Sequence, residues 1–441
     1  MKRVKVDVTE LKGGMYVALL DRPWLETPFM FQGFEIRDDS EIKLLQQFCR
    51  HVYIDITRSS LAASEIEKLL NSRGKKIELG ISAEKPKVAK KPSLFYRLLA
   101  FLSQFDPTGR IAHKIEGSHK YRIKSSLKKE VPQAADAYEV ALSAVNDVLE
   151  RLSNGRAIDI DQVRESVNPM IESVLRNPGA MTWFVLLKKR DDYSYNHSIA
   201  SSVWATVLGR HLGFDRPTLN LLALGGLLLD VGKARLPERL LRKEADITDS
   251  ERRLLQQHVD IGLEMVRDTE GIGSEVLDMI ACHHERYDGS GYPRGLAGSD
   301  IPVYGRIAGL IDCYDAMTSY RPYAKAMSSY EAIRELNSMA GVHFQKELVE
   351  QFVQALGMFP AGSIVELNSG EIGVVVEQNR VRRLRPKIMV LLDAAKQPVS
   401  RHKVIDLRKV SGDSREKGAS WITAGHEPGA FGIDPAHYFI A

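Results

Sequence analysis

His283-His284-Glu-Arg-Tyr-Asp-Gly-Ser-Gly-Tyr-Pro-Arg-Gly-Leu296, followed by Gly305–Tyr323 (GRIAGLIDCYDAMTSYRPY), decides how the rest of the chain is read. Two adjacent imidazoles are followed by three turn formers (Asp288, Gly289, Gly291) and then Tyr292-Pro293, which together demand a tight, exposed turn. The second run is an apolar helix in which Asp312 follows Ile307 and Ile311, where an unpaired carboxylate would be costly.

Working outward, six potential metal ligands fall among segments that otherwise read as buried helices: His197, Asp230, His258, His283, His284 and Asp312. A single histidine on an apolar helix is usually a satisfied core residue. Four of the chain's 12 histidines joined by two carboxylates are harder to explain that way. Imidazole and carboxylate together suit iron, manganese, zinc or nickel. Asp230 ends the uniformly apolar Leu219–Leu229, which is predicted to be a central buried helix. His258 is expected to point inward from a helix opened by the capping box Thr248-Asp-Ser-Glu251 and running to about Asp268. His283 and His284, at about 100° apart on a helix, are expected to face one cavity without meeting the same atom in the same way.

The two runs closely resemble the HD-GYP family of bacterial cyclic di-GMP phosphodiesterases, and the similarity extends over roughly residues 140–355. Residues 1–65 look like the small uncharacterised domain often found ahead of HD-GYP domains. The resemblance implies a mainly α protein: an HD-type helical bundle with a small α/β N-terminal domain and a small β C-terminal appendage. It implies His197, Asp230 and Asp312 around one metal, with Asp230 bridging to a second held by His258, His283 and His284. It also implies Lys233 as catalytic lysine, with Asp230 in the reacting centre. Gly291, Tyr292 and Pro293 would shape the substrate rim, with Arg321 and Lys325 near the ligand's phosphates. The expected cofactors are two divalent first-row ions, iron or manganese first. The expected product is linear pGpG, sometimes cut further to GMP. Implied partners are cyclic di-GMP and, through the loop, GGDEF-type or other signalling proteins. No nucleic-acid polymer and no membrane contact are expected, and a homodimer stays open.

Three positions depart from the family pattern. Leu229 stands where the His-Asp doublet has its histidine, so the first metal loses a nitrogen donor and its occupancy is in doubt. Ala324 stands where a basic, phosphate-contacting residue is common, with Lys325 next door. Tyr193 replaces the glutamate of three-metal members, which favours two ions over three. A working phosphodiesterase, a non-hydrolysing cyclic di-GMP sensor or docking module, and another HD-superfamily nucleotide phosphohydrolase are the three readings. Glu285 and Asp288 read as helix-end and turn residues. Asp315 reads either as support for a neighbouring ligand or as a salt-bridge partner on its helix.

Around this core, 441 residues, 44% hydrophobic and 27% charged, imply a globular chain of several units. A net charge of +4 selects no partner. Three cysteines without a CxxC spacing fit a reducing cytoplasm, and the N-terminus shows no signal-peptide h-region. Residues 1–65 alternate as strands at Val4–Val8, Met15–Leu20 and His51–Ile56 around a helix at Asp38–Phe48. Trp24, Phe29 and Phe31 read as core rather than a binding face. Residues 66–135 form a lysine- and proline-rich linker containing the apolar Leu94–Phe105. This segment is read as a helix docked on the next domain, an interfacial membrane helix or a dimer contact. Residues 136–356 are helical. Residues 357–410 form a small β unit with a hairpin at Gly362–Glu377 and strands at Lys387–Leu392 and Lys403–Leu407. Residues 411–441 read as a polar tail.

Overall fold

The computed structural model describes residues 3–21, 34–36, 39–56, 59–61, 121–186, 193–243, 245–320, 325–379, 384–407 and 420–433. Trp24, Phe29, Phe31, the Leu94–Phe105 segment, Arg321 and Ala324 lie outside them. The chain divides into two compact units, the first made of residues 1–97 with 380–383 and the second of the rest.

In the first unit, strands β1 (Arg3–Asp7), β2 (Tyr16–Leu20), β3 (Phe34–Glu35) and β4 (His51–Asp55) form an antiparallel sheet in the order β1-β4-β2-β3. Helix α1 (Asp39–Phe48) contributes Leu45 to its core. Period-two alternation buries Val4 and Val6 while Lys5 and Asp7 face water, so one face of the sheet carries the core.

The second unit is helical. Helix α2 (Leu127–Ser153) starts inside the stretch read from sequence as linker. Ser126 caps it by accepting the Lys129 amide, and the buried Glu130 carboxylate takes a forked pair from Arg176. That pairing reaches across 46 residues, so nothing local announces it. Helices α3 (Ile160–Arg176) and α4 (Pro178–Leu186) follow. At the centre lie α5 (Tyr193–Leu212) and α6 (Arg216–Leu228), the latter with Leu219, Leu222, Ala223, Leu224 and Leu228 fully buried. Gly226 makes their close approach feasible, since a Cβ there would stand 2.7 Å from backbone atoms of Ser201 and Ser202.

A 3-10 turn (Val231–Arg235) and α7 (Glu238–Leu241) lead to α8 (Asp249–Gln256), opened by the Thr248–Glu251 capping box. The expected single helix to Asp268 is two: α8 ends at Gln256, and α9 (His258–Val266) starts after Gln257. Helices α10 (Ser274–Cys282), α11 (Val303–Thr318), α12 (Ser329–Ser338) and α13 (Lys346–Leu356) complete the bundle.

Strands β5 (Ile364–Leu367), β6 (Ile372–Glu377), β7 (Lys387–Leu392), β8 (Pro398–Asp406) and β9 (Ile422–His426) form an antiparallel sheet ordered β8-β7-β6-β5-β9. Strand β9 lies in the stretch read as polar tail, where it pairs Glu366 with Ala424. The sheet's buried Ile364, Ile372, Val374 and Leu391 share a core with Trp183 of α4. No helix among the described residues is long and apolar enough to cross a membrane.

Candidate metal centre

Five pieces of backbone deliver the six donors: α5 brings His197, the end of α6 brings Asp230, α9 opens with His258, α10 ends into His283-His284, and α11 brings Asp312. The histidine pair is not helical as expected. Helix α10 stops at Cys282, His283 is its C-cap, and the turn lets both rings face the same place, with centroids 4.1 Å apart.

The donors fall into two groups that share Asp230. Asp230 Oδ1 lies 3.3 Å from His258 Nε2 and 3.7 Å from His283 Nε2, and His284 Nε2 lies 3.2 Å from His258 Nε2. Asp230 Oδ2 lies 3.2 Å from His197 Nε2, which is also 3.1 Å from Asp312 Oδ1. His284 Nδ1 and Asp312 Oδ2, 3.8 Å apart, link the groups a second time.

The protonation pattern shows what such a cluster accommodates. His258 Nδ1 donates to the Leu255 carbonyl at 2.6 Å and His283 Nδ1 to the Ile280 carbonyl at 2.8 Å. Carbonyls only accept, so in the neutral rings the single proton sits on Nδ1 and both Nε2 atoms carry bare lone pairs, 3.2 Å apart. Asp230 Oδ1, buried among them, receives no hydrogen bond from the described residues. Burial works against the Asp230 carboxylate, yet the Lys233 ammonium beside it holds its pKa well below the ordinary range. Burial likewise opposes Asp312, but the His197 ring in contact with it and the nearby His284 and His283 imidazoles hold its pKa well below the ordinary range. Burial, then His283, pushes the His284 imidazole well below its usual pKa, so it is neutral near pH 7. Imidazole lone pairs and carboxylate oxygens that converge with no proton placed between them fit a divalent cation.

Asp315 carries more weight than its sequence position suggested. It is fully buried, and its carboxylate accepts His197 Nδ1–H at 2.7 Å, the Trp204 indole N–H at 3.0 Å and the Ser319 hydroxyl at 3.2 Å. This fixes the His197 tautomer with Nε2 facing Asp230 and Asp312. A carboxylate one turn beyond Asp312 in an apolar helix was the available signal. Lys233 Nζ lies 2.5 Å from Asp230 Oδ2 and keeps part of its side chain in solvent. Leu229, 1% exposed, directly precedes Asp230, so the His197 group offers three donors and the other group four.

Gly232 presses the turn that carries Asp230 and Lys233 onto α9. A Cβ there would meet the His258 carbonyl oxygen at 1.9 Å and the Gly262 nitrogen at 2.6 Å. Gly232→Ala is therefore expected to cost about 1–3 kcal/mol of stability and to lower bound metal, as read by thermal melting and metal analysis.

The Gly291–Pro293 loop lies over the cluster. The Tyr292-Pro293 bond is cis, and the Tyr292 ring stacks on His284 with centroids 4.5 Å apart. Lys325 is exposed.

The HD domain family matches residues 183–348, a domain of unknown function (DUF3391) matches 3–163, and the KOW domain associated with HD domain matches 364–411. A cyclic di-GMP phosphodiesterase of Pseudomonas aeruginosa is 32% identical over 416 residues, 94% of this chain and 91% of that one. A cyclic di-GMP phosphodiesterase of Thermotoga maritima is 33% identical over 171 residues, 38% of this chain and 46% of that one. A 3'3'-cGAMP-specific phosphodiesterase of Vibrio cholerae is 36% identical over 128 residues, 29% of this chain and 24% of that one. The chain belongs to the HD-GYP family, in the form that carries DUF3391 ahead of the HD domain and a KOW domain behind it.

Proposed function

We propose that the protein hydrolyses cyclic di-GMP to linear pGpG, and in part to GMP, as a metal-dependent phosphodiesterase in cytoplasmic second-messenger signalling. The observation that carries this reading is the double use of Asp230, one oxygen toward each donor group, in a cluster of unprotonated donors. Two divalent first-row ions suit the nitrogen and oxygen donors, iron or manganese first, with the four-donor group filling first because Leu229 leaves the other a donor short. When bound, such ions supply Lewis acidity and an activated water to a phosphodiester.

The chain's own groups do the rest. Lys233, partly exposed beside Asp230, offers an ammonium to a nonbridging phosphate oxygen, where negative charge grows during the displacement. Asp315 keeps the His197 proton on Nδ1. Tyr292, with Gly291 and Pro293, forms the wall against which a dinucleotide rests. Arg321 and Lys325 are assigned to its second phosphate.

A second reading, cyclic di-GMP sensing or docking of GGDEF-type signalling proteins without turnover, is favoured by one observation: a buried leucine, Leu229, directly before Asp230, where the family pattern has a histidine. The test is incubation of manganese- or iron-loaded protein with cyclic di-GMP, and with 3'3'-cGAMP alongside. Accumulation of pGpG that stops on addition of a chelator is the expected result. Binding of cyclic di-GMP with no pGpG selects the sensor, and faster consumption of 3'3'-cGAMP reassigns the substrate.

A further inference from the structure

The loop that bears Tyr292 is tied down by one carboxylate. Glu285 follows the histidine pair directly and is 3% exposed. Its Oε1 accepts the Arg294 main-chain N–H at 2.9 Å and its Oε2 accepts the Leu296 main-chain N–H at 2.9 Å. The outgoing limb is held as closely: the Tyr292 amide donates to the His284 carbonyl at 3.1 Å. At Gly291 a Cβ would stand within 2.5 Å of the His284 oxygen and the Glu285 Cα, so only glycine lets the limb lie on this backbone. The Arg294 side chain turns back to Cys282 Sγ at 2.9 Å, at the end of α10. Residues 284–296 thus form a closed loop whose two limbs are fastened to the residue pair His284-Glu285.

We propose that Glu285 is a positioning residue. By bracketing the amides of Arg294 and Leu296 it sets the register of the loop, and so the lie of the Tyr292 ring on His284 that a bound dinucleotide meets. The inference rests on the phosphodiesterase reading and extends it to substrate selection. Glutamine has the same shape, but one of its oxygens becomes an NH2 group facing a backbone N–H. One of the two contacts is lost and two donors are set against each other in a buried place.

The experiment uses the full chain loaded with Mn(II), comparing wild type with Glu285→Gln. The readouts are KM and kcat on cyclic di-GMP and on bis(4-nitrophenyl) phosphate, a diester too small to lean on the loop. Metal per chain and amide hydrogen exchange over residues 286–298 are measured in parallel. The expected result is a rise of about tenfold in KM for cyclic di-GMP with kcat and the small diester changed by no more than about twofold. Exchange in the loop should be faster, and metal per chain should match wild type. Loss of metal with both substrates falling together would overturn the proposal, because the carboxylate would then support the cluster and not the loop. Unchanged exchange over 286–298 would overturn it too. Should wild type cleave neither diester, the phosphodiesterase reading fails by itself. The loop assignment is then judged on exchange and on cyclic di-GMP affinity, which Glu285→Gln must weaken about tenfold for it to stand.

Discussion

Asp230→Ala is expected to lower cyclic di-GMP turnover by at least about a thousandfold and to strip most of the bound metal. Its two oxygens serve different neighbours. Oδ1 faces His258 and His283, while Oδ2 faces His197 and is held by Lys233. No other carboxylate in the cluster belongs to both donor groups. Removing it therefore weakens both groups at once and releases the Lys233 ammonium, which we propose serves the substrate phosphate. Asp230→Asn separates this from misfolding, because the amide keeps the side chain's volume. Metal-free Asp230→Asn should melt no lower than metal-free wild type, since a buried acceptor surrounded by imidazole lone pairs is an electrostatic cost that the amide relieves. What should vanish is the rise in melting temperature that added Mn(II) gives wild type, since only a ligand bound to the folded state stabilises it. Turnover within about tenfold of wild type in either variant would show that Asp230 does not bridge.

The six clustered residues were legible because they sit on apolar stretches, where a histidine or aspartate stands out by type. Their mutual geometry was legible only in part. Helical phase placed His283 and His284 about a quarter-turn apart, whereas the chain leaves the helix at Cys282 and the turn brings both rings to one cluster. The break at Gln257 hides in the same way: His258 heads a new helix, although the capping box at Thr248 was plain in the sequence. The support given by Asp315 depends on Trp204 and His197, more than 100 residues away, so its place one turn beyond Asp312 left two readings open. No local pattern records the pairing of Glu130 with Arg176 or of β9 with β5. Residue type and period report what a segment is, and long-range pairing decides what it meets.

Leu229→His is the converse test, and it is expected to gain function. Wild type should hold one tightly bound ion per chain in the Asp230, His258, His283 and His284 group. The His197, Asp230 and Asp312 group has three donors, and the buried Leu229 that directly precedes Asp230 carries an isobutyl group that cannot coordinate. Leu229 is the C-cap of α6 with ordinary helical dihedrals (φ −46°, ψ −47°), so histidine meets no backbone strain there. Restoring a nitrogen donor should raise metal content toward two ions per chain and turnover by about 10–100-fold. The two readouts separate the competing functions. If both rise, the natural chain is a weakened phosphodiesterase limited by its second ion. If metal rises and pGpG still does not form, Leu229 is not what silences the site, and the sensor reading gains. If neither changes, the new imidazole fails to reach the cluster, and the three-donor group then binds or fails to bind metal for reasons seated in Asp312 and His197, where Asp315→Asn becomes the informative variant.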